Sequence, residues 1–363
     1  MKLVNISEEA LKGLILCDHI GPPEGRDFLC VVEITYQCNF QCFHCHIDAT
    51  INRSEYMSYD TACRIFDEMA EVGVQIVYLS GGEPTIRKDL IRLIEYLKEL
   101  HIKPGLISNG YLLDSKYIQR LKEAGLEIIG ISLNGAIPST YDAFVNISGA
   151  FQRVINNIRT CVKVGIPKVL LLTTGGSPIV QSQMESIIKI AIDLGVFMVG
   201  DERPIPIGSA LRNKSKIKVE KSLYYKEYLN WLKKKSKEYS NIIKIDSNDP
   251  LWGLDNKKGF IPLNKGVPNK NVPLCPSAWH VCITPDLKVK PCAFSHAFAG
   301  DLTTTSFKNI WNNSILLRAI RNKDNLKGKC GRCEYKYLCG GCRASAYAYY
   351  GDYFAEDPLC WKE

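Results

Sequence analysis

The sequence predicts an α/β fold built on a parallel sheet. From residue 28 to about residue 203, six short runs rich in Val and Ile alternate with five amphipathic stretches. Parallel strands need crossover connections, which the amphipathic stretches supply as helices. Six units are too few for a closed eight-stranded barrel, and no Gly-x-Gly-x-x-Gly follows the first strand. We therefore expect a partial (β/α)6 TIM-like barrel, followed by a cysteine-rich C-terminal domain.

The elements follow in order along the chain. The predicted strands cover residues 28–35, 75–80, 104–108, 127–132, 168–174 and 196–202. The predicted helices cover residues 58–72, 87–100, 113–124, 151–164 and 181–194. The first helix shows the signals, because Ser58 can cap its start, apolar residues recur at helical spacing, and Gly73 can end it in a left-handed turn.

Composition divides the chain into four segments. We expect an N-terminal extension over 1–27, the barrel over 28–210, a helical connector and loop over 211–270, and the C-terminal domain over 271–363. A buried stripe of the connector helix is predicted at Tyr224, Tyr228, Trp231 and Leu232, and the polar stretch 246–273 is predicted to be loop. Apolar periodicity is weak after residue 275, so we expect metal rather than a large core to hold the last domain.

The charge distribution restricts the class of partner. The net charge is 46 − 38 = +8, and residues 212–237 alone hold ten basic and two acidic side chains. This segment is interpreted as the solvated face of a helix or, alternatively, as an attractor of acidic substrates, and we expect no nucleic-acid partner. No run of 18 apolar residues predicts a transmembrane segment, and the N-terminus has no export signal, so we expect a cytoplasmic protein.

Three cysteines directly follow the first strand, with the spacing Cys-x3-Cys-x2-Cys at Cys38, Cys42 and Cys45. Thiolates are the usual ligands of iron–sulfur clusters. A four-iron cluster held by three thiolates leaves one iron open for another ligand, as a catalytic cluster requires. The alternative is a zinc site that includes His44 or His46, but zinc ligands usually pair across a longer loop. We expect both histidines to lie near the cluster without binding it.

The second strand ends in Gly81-Gly82-Glu83-Pro84. The glycines allow the backbone to approach a ligand closely, and the glutamate can meet a cationic amine. A simple turn would also fit these four residues. In a partial barrel, however, this loop and the three-cysteine loop open on the same face, where barrel active sites lie.

Together the two motifs resemble the radical S-adenosylmethionine (radical SAM) superfamily over residues 28–210. The resemblance implies that Cys38, Cys42 and Cys45 bind a [4Fe-4S] cluster whose fourth iron chelates S-adenosylmethionine, and that residues 81–84 hold the methionine amine. One-electron cleavage of the cofactor then releases a 5′-deoxyadenosyl radical, which takes a hydrogen atom from the substrate. An external electron donor such as flavodoxin or ferredoxin is also implied.

Polar residues also end the later strands. Ser108 and Asn109 end the third strand, and Ser132 and Asn134 end the fourth. Similar positions in the superfamily contact the ribose and carboxylate of the cofactor, although Asn134 stands where Asp is common, and ordinary turns are the alternative. Arg203 ends the sixth strand, where it can pair with the cofactor carboxylate, with a substrate acid or with a structural carboxylate.

The C-terminal cysteines resemble the SPASM extension of radical SAM maturases. They are Cys275, Cys282, Cys292, Cys330, Cys333, Cys339, Cys342 and Cys360. A zinc knuckle is the alternative, but the gap of five residues between the central pairs is short for a zinc ribbon. The resemblance implies two further [4Fe-4S] clusters, one on residues 275, 282, 292 and 342 and one on residues 330, 333, 339 and 360. The pattern departs from SPASM at Leu287, which replaces a glycine, and in its last short gap.

The four other cysteines, Cys17, Cys30, Cys63 and Cys161, are expected to be buried small side chains. For the substrate, the tail 339–360 resembles radical SAM enzymes of the alternative haem pathways, which predicts decarboxylation or modification of a tetrapyrrole propionate. Residues 275–300 resemble the mycofactocin peptide maturase, so a peptide substrate is the alternative, followed by a lipid or sugar. Outside this class, an iron–sulfur electron carrier is a distant alternative. His280 and His296 are expected beside the auxiliary clusters, or as iron ligands or proton donors.

Overall fold

The structure is a computed structural model that describes residues 28–213, 215, 224–254 and 274–362. Its centre is a sheet in which seven strands follow one another in chain order, each parallel to the next. The strands are β1 (Leu29–Glu33), β2 (Ile76–Ser80), β3 (Lys103–Ser108), β4 (Ile128–Ser132), β5 (Lys168–Thr173), β6 (Met198–Asp201) and β7 (Lys244–Ser247). The six predicted strands and the partial barrel are therefore confirmed.

Helices cover the outer face of this sheet. In the barrel they are α1 (Tyr59–Glu71), α2 (Leu90–Glu99), α3 (Ser115–Glu123), α4 (Pro138–Val145), α5 (Ala150–Val164), α6 (Pro178–Gln181), α7 (Met184–Leu194) and α8 (Ser209–Arg212). The five predicted helices are present, with ends shifted by up to three residues. The sequence analysis missed α4 because Asn, Gly, Pro and Ser around residue 135 read as turn signals.

The C-terminal region extends the same sheet. Its strands are β8 (Val281–Ile283), β9 (Lys288–Lys290) and β10 (Gly300–Asp301), and its helices are α10 (Phe307–Asn313), α11 (Ile315–Arg321), α12 (Gly328–Gly331) and α13 (Arg343–Tyr350). Strand β8 pairs in parallel with the free edge of β1, and β9 and β10 follow as antiparallel neighbours. Strand β1 therefore lies between the barrel and the C-terminal region.

The expectation that metal alone would hold the C-terminal region is wrong for its first half. Trp311 is fully buried, and its ring centroid lies 4.3 Å from that of Phe28, which immediately precedes β1. Phe307 and Trp279 also pack against Trp311. These side chains belong to the same continuous core as the barrel helices. The apolar pattern was hard to read because it is spread over several short elements.

The connector supplies a π-helical turn (Tyr224–Leu229), helix α9 (Asn230–Glu238) and strand β7. Tyr224, Tyr228 and Leu232 are buried and Trp231 is partly buried, so the predicted stripe is confirmed. In the described part of the basic segment, Arg212, Lys234 and Lys237 are exposed, whereas Lys233 and Lys235 are partly buried. Lys235 contacts Glu185 at 3.0 Å.

Strand β7 was not predicted, because it falls partly in the stretch read as loop. Residues 255–273, Cys17 and the predicted extension 1–27 lie outside the described residues. Among the helices of the described chain, none is long and apolar enough to cross a membrane.

Replacement of Trp311 by alanine tests the shared core. Because Trp311 fills the junction between β1 and the C-terminal helices, we expect Trp311→Ala to lower the free energy of unfolding by about 3–5 kcal/mol. Anaerobic denaturant titration of the cluster-loaded protein measures this change. In the control Ile315→Ala, the replaced side chain is 51% exposed, and the change should stay within about 0.5 kcal/mol. Equal losses in the two variants would contradict a core shared by both regions.

Candidate active site

The three-cysteine loop begins five residues after the end of β1 and folds back on itself. The backbone N–H groups of Phe40 and Ala49 each donate to a thiol sulfur, at 3.4 Å from Cys38 Sγ and Cys45 Sγ respectively. The Cys45 N–H donates to the Cys42 carbonyl at 3.2 Å. The loop therefore gathers its three cysteines at the carboxyl end of β1 and surrounds them with amide donors.

The chemistry of these donors fits an iron–sulfur cluster. Burial raises the pKa of Cys42 well above its usual value, and the neighbouring Cys45 and Cys38 raise it further. Three crowded, buried thiols favour the neutral form on their own, and bound iron would deprotonate them and offset their mutual repulsion. The cysteines of the described chain form no disulfides and are available as ligands.

Gly81 and Gly82 allow close contact with the segment that leads into the cysteine loop. Gly82 N–H donates to the Thr35 carbonyl at 2.7 Å, and Glu83 N–H donates to the Gln37 carbonyl at 2.8 Å. A Cβ on Gly81 would lie 2.3 Å from the Thr35 oxygen, and one on Gly82 would lie 2.1 Å from the Gln37 oxygen. The structure thus gives the two glycines a backbone-to-backbone role, whereas the sequence analysis predicted close approach to a ligand.

Glu83 is fully buried and its carboxylate already has four donors within the protein. Oε1 accepts hydrogen bonds from the Thr85 N–H (3.1 Å), the Thr85 hydroxyl (2.5 Å) and the Ser108 hydroxyl (2.7 Å). Oε2 accepts from the Asn109 N–H at 2.7 Å. Burial raises the pKa of Glu83, against the effect of these hydrogen bonds. The four hydrogen bonds of Glu83 join the ends of β2 and β3. The contact of Glu83 with a cofactor amine stays a prediction. Pro84 begins the short 3-10 turn that carries Thr85.

The other predicted cofactor residues line the same rim. The Asn109 amide donates to the Asn39 side chain at 2.9 Å and lies 3.9 Å from Cys38 Sγ, so it connects β3 with the cysteine loop. Asn134 accepts from the Thr174 N–H at 2.8 Å, and the Ser132 carbonyl accepts from the Tyr141 hydroxyl at 3.3 Å. The structure therefore brings the ends of β1 to β5 together around the loop, as predicted for a barrel active-site face.

Arg203 has a structural role, one of the alternatives left open by the sequence. Its Nε and Nη2 donate to Asp249 at 2.7 and 2.6 Å, and its Nη1 donates to both oxygens of Asp357 at 2.7 and 2.8 Å. All three side chains are almost completely buried. Each guanidinium nitrogen is therefore occupied, and Arg203 joins β6, the connector and the C-terminal tail. No feature of the sequence predicted Asp249 as a partner, and Asp357 entered the sequence analysis only as part of the tail 339–360.

The predicted cysteine set 330, 333, 339 and 360 lines one cavity of about 280 Å³. We call these residues the cavity-side set. The cavity has the donors a four-iron cluster requires, because all four of its thiols are free. Gly340 and Gly341 border it in left-handed conformations, with φ of +65° and +63°.

The other predicted set, 275, 282, 292 and 342, lies closer to the barrel, and we call it the pocket-side set. Burial raises the pKa of Cys292 to about 12, with further contributions from Cys342 and Cys275, so these three thiols lie within electrostatic range of one another. Cys282 is on β8, paired in register with Lys290 of β9. Burial raises the pKa of Cys282, and the nearby Glu33 raises it further, as does Cys292 more weakly. Cys282 therefore lies within electrostatic range of both Glu33 and Cys292.

A small pocket lies between the cysteine loop and the pocket-side set. His44, His46, Glu202, Ile205 and Phe294 line it, together with Arg203. Two imidazoles of the cysteine loop therefore line the same pocket as Phe294, which lies two residues after Cys292 in the chain.

Glu33 is buried at the end of β1 and contacts the imidazole of His46. The His46 Nε2 lies 3.5 Å from Glu33 Oε1, which also accepts a hydrogen bond from Lys290 Nζ at 2.9 Å. Burial would raise the pKa of Glu33, but Lys290 and His46 together lower it to about 2. His296 is also close, since the charges of Lys290 and His46 add to the effect of burial in lowering its pKa. Sequence reasoning missed Glu33 and Lys290, although an acid that ends an apolar strand was a usable signal.

The remaining cysteines differ in burial. Cys30 on β1 and Cys161 on α5 are fully buried, as predicted. Cys63 on α1 is only partly buried, because it lies on the edge of the helix beside Tyr59, so the prediction for this residue is wrong.

Comparisons with known proteins agree with this geometry. Residues 32–191 match the radical SAM superfamily, and residues 275–334 match SPASM, an iron–sulfur cluster-binding domain. An AdoMet-dependent heme synthase of Methanosarcina barkeri is 30% identical over 346 residues, which cover 90% of this chain and 94% of that protein. A PqqA peptide cyclase of Bradyrhizobium diazoefficiens is 27% identical over 348 residues, which cover 91% and 85%. Streptococcus suis SuiB bound to S-adenosylmethionine has a similar fold, with a TM-score of 0.72, 17% identity and coverage of 93% and 77%.

The chain belongs to the radical SAM superfamily and carries a SPASM domain. It is therefore an enzyme whose cofactors are iron–sulfur clusters and S-adenosylmethionine, and whose substrate is a small molecule or a peptide. The predicted family, fold class and enzyme class are confirmed.

The structural role of Glu83, which joins the ends of β2 and β3, can be tested with Glu83→Gln. Because the amide nitrogen of glutamine cannot accept a hydrogen bond, at least one buried donor would lose its partner, and we expect a loss of about 2 kcal/mol or more in stability. The measurement is anaerobic denaturation without S-adenosylmethionine. Glu55→Gln is the control, because the Glu55 side chain is 52% exposed, and its unfolding midpoint should match that of the parent. An unchanged midpoint for Glu83→Gln would contradict the structural role of this carboxylate.

Proposed function

We propose that this enzyme modifies a propionate side chain of an iron tetrapyrrole, with decarboxylation as the reaction. The observation that carries the proposal is the pocket beside Cys45, which presents His44 and His46, with His296 close by. Imidazoles bind haem iron and donate hydrogen bonds to carboxylates. Similarity to the heme synthase over 94% of its length supports the same substrate class.

The cysteine loop would hold the catalytic cluster through Cys38, Cys42 and Cys45. With S-adenosylmethionine bound, such a cluster supplies a 5′-deoxyadenosyl radical that removes a hydrogen atom from the substrate. We propose that Gly81, Gly82, Glu83 and Pro84, with the residues that end β3 and β4, shape the cofactor site. The named polar residues are Ser108, Asn109, Ser132 and Asn134. Arg203 is left out of this assignment because both of its carboxylate partners belong to the protein.

The pocket wall suits an apolar, carboxylate-bearing ligand. Phe294 and Ile205 offer apolar surface, and Glu33, itself paired with Lys290, positions the His46 imidazole beside them. Burial raises the pKa of Glu202, and His46 partly offsets this effect. These features favour a tetrapyrrole acid over a neutral sugar.

The two C-terminal cysteine sets would hold two closed four-iron clusters, which makes three clusters and about twelve irons per chain. Such clusters accept and donate single electrons. Release of carbon dioxide from a propionate radical leaves one electron to be accepted, and the pocket-side set lies behind Phe294, next to the pocket. An external donor such as flavodoxin or ferredoxin would supply the first electron.

A peptide substrate is the second candidate. Similarity to the PqqA peptide cyclase over 91% of this chain favours it.

Anaerobic mass spectrometry separates the candidates. The reconstituted enzyme is incubated with S-adenosylmethionine, dithionite and iron-coproporphyrin III. We expect the porphyrin to lose carboxyl-derived mass in step with the formation of 5′-deoxyadenosine. We expect Cys42→Ala to abolish formation of the nucleoside, because one cluster ligand is lost, whereas Cys161→Ala, a matched change at a buried cysteine on α5, should keep it.

Each failure points to a different part of the proposal. Deoxyadenosine from Cys42→Ala would disprove the cluster assignment. Deoxyadenosine beside unchanged porphyrin would disprove the tetrapyrrole substrate and direct the search to peptides.

A further inference from the structure

One buried aspartate contacts both auxiliary cysteine sets, through its carboxylate on one side and its backbone on the other. Asp357 is fully buried, and its carboxylate accepts a hydrogen bond at 2.7 Å from the backbone N–H of Cys342, a member of the pocket-side set. Its own backbone N–H donates at 3.3 Å to the sulfur of Cys330, a member of the cavity-side set. Asp357 therefore bridges the two sets with one side-chain and one main-chain hydrogen bond.

Arg203 connects this bridge to the pocket. The guanidinium that lines the pocket pairs with both oxygens of Asp357, at 2.7 and 2.8 Å. The charge of Arg203 also lowers the pKa of Cys342 against the larger effect of burial, which places the guanidinium near that thiol. A continuous line of charged contacts thus runs from the pocket rim to both cysteine sets.

On one side Asp357 packs tightly against Gly341 and the sulfur of Cys330. A Cβ on Gly341 would lie 2.8 Å from Asp357 Cβ and 3.1 Å from Cys330 Sγ. Arg343, also fully buried, places its Nη2 at 3.8 Å from the same sulfur. Charges act more strongly at buried positions than in water, so the Asp357 carboxylate and its partner influence the nearby thiolates.

We propose that Asp357, neutralised by Arg203, sets the reduction potentials of the two auxiliary clusters together. The inference rests on the proposed function, because it requires that both cysteine sets bind clusters. A nearby negative charge opposes the addition of an electron, and N–H donors to the thiolates favour it. Asp357 supplies both influences, and Arg203 offsets the first. Asp357 is therefore a positioning residue with an electrostatic effect on both clusters.

The chain offers a matched control. Asp249 is an equally buried carboxylate that pairs with the same guanidinium, at 2.6 and 2.7 Å. Its other partners are the Tyr224 hydroxyl and the Leu251 N–H, so its recorded hydrogen bonds include no cluster cysteine. Asp357→Asn and Asp249→Asn each remove one negative charge from the Arg203 site, and the first removes it from the carboxylate that is hydrogen-bonded to the backbone of Cys342.

The test is an EPR-monitored redox titration of the cluster-loaded enzyme. With Asp357→Asn we expect the midpoint potentials of both auxiliary clusters to rise by at least about 59 mV. For one electron, this corresponds to a tenfold change in the ratio of oxidised to reduced cluster. With Asp249→Asn we expect less than half that shift. In both variants the midpoint potential of the cluster at Cys38, Cys42 and Cys45 should be unchanged. A second variant, Arg203→Lys, keeps the positive charge but replaces the planar guanidinium, which binds both aspartates at once, by a single ammonium group. Asp357 is then less well paired, and we expect the auxiliary midpoints to fall.

Iron analysis of the parent separates the possible failures. If the folded parent binds only about four irons, the auxiliary clusters of the proposed function do not exist and the inference fails with them. If about twelve irons are bound but the two aspartate variants shift the midpoints equally, or neither does, the electrostatic role of Asp357 is disproved while the proposed function stands. If Asp357→Asn does not load its clusters, Arg203→Lys tests the electrostatic role instead. A fall in its auxiliary midpoint potentials supports that role, and unchanged or raised potentials disprove it.

Discussion

The pairing of β1 on both of its edges is the constraint on which the rest of the molecule depends. On one edge β1 pairs with β2, whose end carries Gly81 and Gly82 against the backbone that leads to Cys38. On the other edge it pairs with β8, which carries Cys282. A slip of one residue would turn every side chain of β1 to the opposite face of the sheet. One strand thus sets the position of the three-cysteine loop relative to the C-terminal cysteines.

Buried charges then fix the loops that the sheet brings together. Glu33 pairs with Lys290 between β1 and β9, Glu83 gathers donors from the ends of β2 and β3, and Arg203 joins Asp249 to Asp357. Removing one partner of such a buried pair leaves an uncompensated charge and costs about 3–5 kcal/mol. These contacts therefore hold the pocket in one arrangement before any ligand arrives, which is what radical chemistry on a chosen carbon requires.

Much of this architecture was legible in the sequence, and the exceptions have physical reasons. The alternation of Val-rich runs with amphipathic helices predicted the barrel, and the spacing of Cys38, Cys42 and Cys45 predicted that one loop gathers three cysteines at the end of β1. The pairing of β8 with β1 was not predictable, because a three-residue strand carries too little pattern and its partner lies some 250 residues away. The partners of Arg203 were equally hidden, since a long-range ion pair leaves no periodic signal. Glu83 was recognised, but its four internal donors depend on how two loops meet in space.

The central claim is that one chain holds an open cluster at Cys38, Cys42 and Cys45 and two closed clusters in its C-terminal domain. EPR spectroscopy of the reduced, cluster-loaded enzyme, recorded with and without S-adenosylmethionine, tests it most directly. The account predicts three cluster signals, of which one changes when the cofactor binds and two do not. A spectrum that does not respond to S-adenosylmethionine, or one in which a C-terminal cluster responds, would contradict it.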